Sequence, residues 1–260
     1  MIIFGLFLAV FVGVTLGLVG SGGSILTVPI FVYIFGVDPV LATAYSLFAI
    51  GATSVLGGVK GFLNENVDMD KLLKFGVPSM ISVFVTRKYI VPLIPDEFHI
   101  SSYIIPQETV LMVCFAIIML FAAYAMMHEI KVPKQHFSFL SVVLKGAFVG
   151  SVTGIVGAGG GFLIIPALTN FFNLSMKKAV STSLVLIAIN SMLGLLGDWR
   201  RINLFDWNIV LIYTGLMIVG MFIGFYFSNK IDGKSLKKMF SLGIIIVAVL
   251  VLVEELVLIH

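Results

Sequence analysis

The sequence predicts an all-α polytopic membrane protein made of two inverted-topology repeats, each interrupted by a short, glycine-rich broken or re-entrant helix. Composition, an internal duplication and the placement of basic residues predict it. The 260 residues are 60% hydrophobic and only 11% charged, with a mean hydropathy of +1.15. A soluble globule carries roughly a quarter charged residues, so the apolar surface here must face lipid.

Apolar runs divide the chain at 2–19, 24–36, 41–62, 73–95, 108–127, 139–157, 162–173, 177–197, 207–229 and 239–259. Most approach the roughly 20 residues that a helix rising about 1.5 Å per residue needs to cross a hydrocarbon core of about 30 Å. The second and seventh runs reach only about 18 to 20 Å, the length of a broken or re-entrant element. Met1-Ile2-Ile3-Phe4 lacks a basic leader region, and the first run is long for a signal core, so it reads as a retained first helix.

Shifted by 137 residues, positions 11–57 align without a gap to 148–194, with 18 of 47 identical. Shared apolar letters carry little weight, but Gly13/Gly150, Gly17/Gly154, Gly20/Gly157, Gly22/Gly159, Gly23/Gly160, Pro29/Pro166, Ala42/Ala179 and Ser46/Ser183 also match. The chain therefore reads as two transmembrane units, 1–130 and 131–260, joined by the polar stretch His128 to Ser138. Five segments per unit is an odd number, so the second unit should be inverted. Basic residues agree. Lys60, Lys71, Lys74, Lys131, Lys134, Lys177, Lys178, Lys230, Lys234, Lys237 and Lys238 fall on one side, and Arg87, Lys88, Arg200 and Arg201 on the other. Positive-inside bias then places both termini outside the cytoplasm of a multi-pass cell-membrane protein.

The candidate chemistry sits where each long helix runs into glycines: Gly20-Ser21-Gly22-Gly23-Ser24 and Gly157-Ala158-Gly159-Gly160-Gly161. Backbone without Cβ can turn sharply and present N–H groups, and the helix start that follows carries about half a positive charge. Two such starts facing each other form an anion site. For Gly13/Gly17 and Gly146/Gly150/Gly154, close helix packing is the better reading. Hydroxyls and one amide recur on the third and eighth segments: Thr43, Ser46, Thr53 and Ser54, then Ser181, Thr182, Ser183, Asn190 and Ser191. Singly, such groups bond back to their own helix, but the matched Ser46/Ser183 and Thr53/Asn190 suggest a polar cavity. Asp198, Arg200 and Arg201, beside Trp199, have the composition of an interface belt.

No Asp, Glu or His stands mid-segment, and no arginine is expected at depth, so intramembrane hydrolysis and cation transport lack their usual residues. The lone Cys114 forms no internal disulfide, and no metal-ligand spacing appears, so no cofactor is expected. The formal charge of +3 does not suggest nucleic acid. The expected partners are a small anionic solute and the lipid bilayer, and a homo-oligomer is one assembly the sequence allows.

The doubled motif G-x-G-G-[SG]-x-x-x-x-P, followed by Ala-x-x-x-Ser-Leu at Ala42 to Leu47 and Ala179 to Leu184, resembles the sulfite exporter TauE/SafE family of membrane proteins. The resemblance spans nearly the whole chain and implies a permease for sulfur oxyanions or organosulfonates. It implies a pathway lined by Ser21, Gly22, Gly23, Ser24, Ser46, Ala158, Gly159, Gly160, Gly161, Thr182 and Ser183; the residues add Asn190. Tyr45-Ser46 departs from the Thr-Ser common in the family, and 89–107 is a longer connection than usual. A secondary transporter working by alternating access is the leading reading. A passive anion channel and a non-transporting scaffold are the alternatives.

Overall fold

A computed structural model describes residues 2–20, 22–95, 97–100, 103–127, 139–228 and 233–258. Ser21, Lys131, Lys134, Lys230, His260 and the joining stretch 128–138 lie outside the described residues. The chain runs α1 (Ile2–Val19), α2 (22–34), α3 (Pro39–Leu63), α4 (Met69–Val85, extended by turns to Leu93), β1 (Glu97–Ile100), β2 (Tyr103–Pro106) and α5 (Gln107–Met127). It continues as α6 (Phe139–Val156), α7 (Gly161–Pro166, extended to Phe171), α8 (Met176–Gly197), α9 (Trp199–Ile202), α10 (Trp207–Phe227) and α11 (Gly233–Leu258). Among the described residues, six helices are long and apolar enough to cross a membrane: α1, α3, α5, α6, α8 and α10. The protein is an all-α polytopic membrane fold. Its sheet is the β1–β2 hairpin, which occupies the long connection between α4 and α5.

The short segments are irregular in matching ways. In α2 a tight 3₁₀ stretch, Gly22–Leu26, leads through Thr27–Pro29 into a π turn, Ile30–Ile34, and in α7 a π turn, Ala167–Phe171, likewise follows Pro166. Proline brings no N–H to a helix, so the ladder is re-formed around each of them. Both segments end on a left-handed residue, Gly36 (φ 68°) and Asn173 (φ 51°), and close by Val37 N–H to Phe31 O and Leu174 N–H to Leu168 O.

Helix pairing is unchanged when the two units are exchanged. α1 packs on α10 as α6 packs on α4, while α3 pairs with α8 and α5 with α11. Small residues bring the paired backbones together. A Cβ at Gly13 or Gly17 would overlap the carbonyl oxygens of Met217 and Met221; at Gly150 it would overlap that of Ser79. The order of these contacts makes α1 parallel to α10 and α6 parallel to α4. In contrast, Gly51 meets Ser191, Gly58 meets Val185 and Gly61 meets Ser181, so α3 and α8 run antiparallel.

Large apolar side chains such as Phe7, Phe121, Phe148 and Phe222 cover the periphery, while Ser46, Thr53, Ser54, Ser79, Asn190 and Ser191 are fully buried. That distribution suits a bundle in lipid, where apolar surface outside is unpenalised and polar side chains turn inward.

Gly150→Leu forces α6 away from α4 and is expected to destabilise the protein by roughly 1 to 3 kcal/mol, the range for overpacking. Gly215 has nothing within 4 Å of an added Cβ. Thermal unfolding in detergent should therefore show a lowered midpoint for Gly150→Leu and little change for Gly215→Leu.

Candidate functional site

Each long first helix ends on a glycine whose φ is positive, Gly20 at 87° and Gly157 at 71°, and whose N–H closes the last turn onto Leu16 O and Thr153 O. Few side chains tolerate that conformation. The chain then turns back against its own helix: Gly23 lies on Thr15 and Gly160 on Thr153. The first turn of α2 touches α7, so the two breaks meet inside the bundle. Gly159 lies between Ile50 of α3 and Ile187 of α8, which are equivalent positions of the two units, with a Cβ there 2.9 Å from each and 3.0 Å from Ser191 Oγ.

Both clusters rest on the opposite unit. Gly20 packs on Val180 of α8 and Gly157 on Thr43 of α3, again equivalent positions. Ala158, Gly159, Gly160 and Gly161 are buried, as are Gly23 and Ser24. Of the expected hydroxyls, Ser46 is fully buried and its Oγ has no hydrogen-bond partner. Ser183 donates back to Val180 O at 2.8 Å. Asn190 donates to Ser79 Oγ at 3.1 Å and leaves Oδ1 unpartnered.

Thr182 is turned elsewhere: its hydroxyl accepts the N–H of Asp68, the N-cap of α4, at 3.0 Å. Its counterpart Tyr45 accepts the N–H of Asp206, the N-cap of α10, at 2.6 Å. Tyrosine at 45 therefore performs the threonine's task with a longer side chain. Each third helix clamps the start of the other unit's fourth.

Ser54 and Ser191, a pair at the same 137-residue shift, are fully buried with unpartnered hydroxyls, and Ser191 stands beside Gly159. Lys60 and Lys145 do not reach the clusters; their ammonium groups lie over the rings of Phe225 and Phe171 at 4.2 and 4.0 Å.

The sequence expects no arginine at depth, yet one arginine is enclosed by protein. Arg87, in the turn extending α4, is fully buried. It donates through Nη1 to Asp198 Oδ2 at 3.0 Å and to Thr43 Oγ1 at 2.8 Å. Asp198, 5% exposed, also takes Arg201, so these residues form an ion-pair chain and not a solvated belt. Arg87 Nε and Nη2 have no hydrogen-bond partner, and Nη2 lies where a Cβ of Gly157 would stand. An arginine inside a 23-residue apolar run, at an uncompensated cost in lipid, was the available signal. Its removal from the loop charges leaves Lys88, Arg200 and Arg201 on that side, which strengthens the positive-inside bias.

A cavity of about 350 Å³ opens beside this chain of charges, lined by Asp38, Val40, Pro106, Gln107, Glu108 and Arg201. The ion pairs thus lead from an open vestibule to the second glycine cluster.

Residues 5–251 match the profile of the family described as "Sulfite exporter TauE/SafE". The chain belongs to that family. A "Probable membrane transporter protein" of Xylella fastidiosa (strain 9a5c) is 27% identical over 248 residues, covering 93% of this chain and 91% of its own. One of the same name from Haemophilus influenzae is 26% identical over 259 residues, covering 91% and 92%. A third, from Methanocaldococcus jannaschii, is 34% identical over 123 residues, covering 43% and 45%. No solved structure matches the chain. By family and architecture the protein is a multi-pass membrane protein of the TauE/SafE transporters.

Tyr45→Phe and Thr182→Val each remove one inter-unit hydrogen bond and should cost about 1 kcal/mol of stability. Thermal unfolding of the two variants should show losses of similar size, as expected of equivalent clamps.

Proposed function

We propose that the protein is a secondary transporter of the plasma membrane for a small sulfur oxyanion or organosulfonate, working by alternating access between two inverted units. One observation carries the reading. Two glycine-opened short helices meet between α3 and α8, with Gly159 set against the equivalent residues Ile50 and Ile187. Irregular backbone inside a membrane protein is tolerated where it is enclosed by protein or lines a pathway, and paired helix starts favour an anion. The antiparallel course of α3 and α8 supports inversion, because equivalent spanning helices point opposite ways only when the units are inverted. Ser46, Ser54, Ser191 and Asn190 Oδ1 supply buried polar atoms along these helices. The family's description, sulfite export, supports the substrate class.

The wild-type protein in vesicles should exchange labelled sulfite for internal sulfite. Large conductance without exchange would make it a channel; neither activity would leave a scaffold. Gly159→Leu is expected to abolish exchange while membrane insertion persists. Ser46→Ala should weaken substrate binding by roughly 0.5 to 3 kcal/mol, and Ser183→Ala by less, since Ser183 already bonds its own helix.

Orientation follows from the charges: both termini non-cytoplasmic, with Lys60, Lys71, Lys74, Lys177 and Lys178 on the cytoplasmic side. A reporter after His260 should read as outside and one near Lys234 as cytoplasmic. Both on one side would exclude the inverted arrangement.

A further inference from the structure

The guanidinium of Arg87 has a free edge. Its Nη1 is engaged by Asp198 and Thr43, whereas Nε and Nη2 have no partner and the side chain is fully buried. Nε–H and the adjacent Nη2–H form the side of the guanidinium plane that donates two parallel hydrogen bonds to two oxygens on one centre. Leaving two such donors unpaired at this depth costs far more than leaving one neutral donor.

That edge packs directly on glycine backbone and carries excess charge. Nη2 faces Gly157, where any Cβ would overlap both it and the Thr43 side chain. Thr86 Oγ1, on the preceding residue, is also buried and unpartnered. Arg87 and Arg201 share the single carboxylate of Asp198, so the three groups carry a net positive charge. In an interior poor in water, such an excess is stabilised by an anion.

The feature is not duplicated. The packing of α10 on α1 places Phe225 where the packing of α4 on α6 places Arg87: Gly17 touches Met221 and Gly224 as Gly154 touches Val83 and Thr86, so the residues that follow, Phe225 and Arg87, correspond. At the other end the cation belongs to the third helix, as Lys60, and it rests on the Phe225 ring. The position equivalent to Lys60 is Gly197, which packs against Arg87 Cβ. Among the described residues, only the second cluster therefore has a buried guanidinium against it.

We propose that Arg87 is the charged anchor of the transported anion, gripping two of its oxygens through Nε–H and Nη2–H at the second glycine cluster. Asp198 and Thr43 fix the guanidinium from its other side, and Arg201 connects the site to the vestibule. This rests on the anion-transporter reading and deepens it: the ligand must carry two oxygens on one atom, as sulfite and sulfonates do. Chloride, a single sphere, cannot occupy both donor directions separately.

The test uses the purified full-length protein with sulfite and chloride as probes, reading binding by titration calorimetry and exchange in vesicles. Asp198→Asn removes the competing negative charge and should tighten sulfite binding. Arg87→Gln combined with Asp198→Asn, which leaves no unpaired buried charge at these two positions, should bind sulfite at least about tenfold more weakly than Asp198→Asn alone, the loss expected for a charge-assisted hydrogen bond. Equal sulfite affinity in the two would overturn the proposal. If the double variant does not fold, Arg87→Lys decides: a point charge on a flexible stem should lose the preference for sulfite over chloride, and a retained preference overturns the role. Exchange of sulfite by the double variant at the wild-type rate would remove Arg87 while leaving the transporter reading intact. A wild-type protein that neither binds nor exchanges sulfite would overturn both.

Discussion

The structure depends on one constraint: a backbone interrupted at membrane depth has no water to satisfy its N–H and C=O groups, so protein must enclose it on every side. Two interruptions make the demand severe. The close pairs α1–α10 and α4–α6 meet it by bringing helix backbones into contact through glycines, which removes the side-chain layer and leaves no room for lipid. α5 and α11 then close over the breaks, with Met112, Phe115, Met119, Ile244 and Ala248 packed on Ile25, Val28 and Phe162. Because every enclosing surface comes partly from the other unit, neither repeat could house its own break alone.

That dependence explains the hydrogen bonds that cross between units. Tyr45 and Thr182 each hold the capped start of a helix from the opposite half. A helix N-terminus has N–H groups without internal partners, and a hydroxyl from the neighbouring unit fixes both the cap and the spacing of the halves. Thr182 thus serves first as a strut, although its position beside Ser183 in the motif suggested a place in the pathway.

Much of this architecture was legible in the sequence because duplication repeats the signals. The glycine clusters, the prolines and the short runs at 24–36 and 162–173 mark the two broken helices, and the described structure places breaks at both. Composition could not show the hairpin at 97–106, since its four-residue strands are too short to leave a period-2 pattern. Nor could it assign the hydroxyls: Ser46 and Ser183 occupy equivalent positions, yet one bonds its own helix and the other does not. Arg87 was visible as a charge in an apolar run but was placed with the loop charges, because its partner Asp198 lies 111 residues away.

Backbone and side chains follow different symmetries. The turns at Gly20 and Gly157, the caps at Gly36 and Asn173, and the helix pairings obey the exchange of units. The charges do not: Arg87 stands opposite Phe225, and Lys60 opposite Gly197. The backbone match is not complete, since Gly160 has a positive φ and its counterpart Gly23 does not, but the shared turns and pairings suit the alternating access proposed above. A symmetric pair of buried arginines would instead add a second desolvated charge to the same interior, at a cost that a single small anion could not offset. With a single guanidinium, the anion proposed above would have one excess positive charge to balance and no second buried cation to leave unpaired.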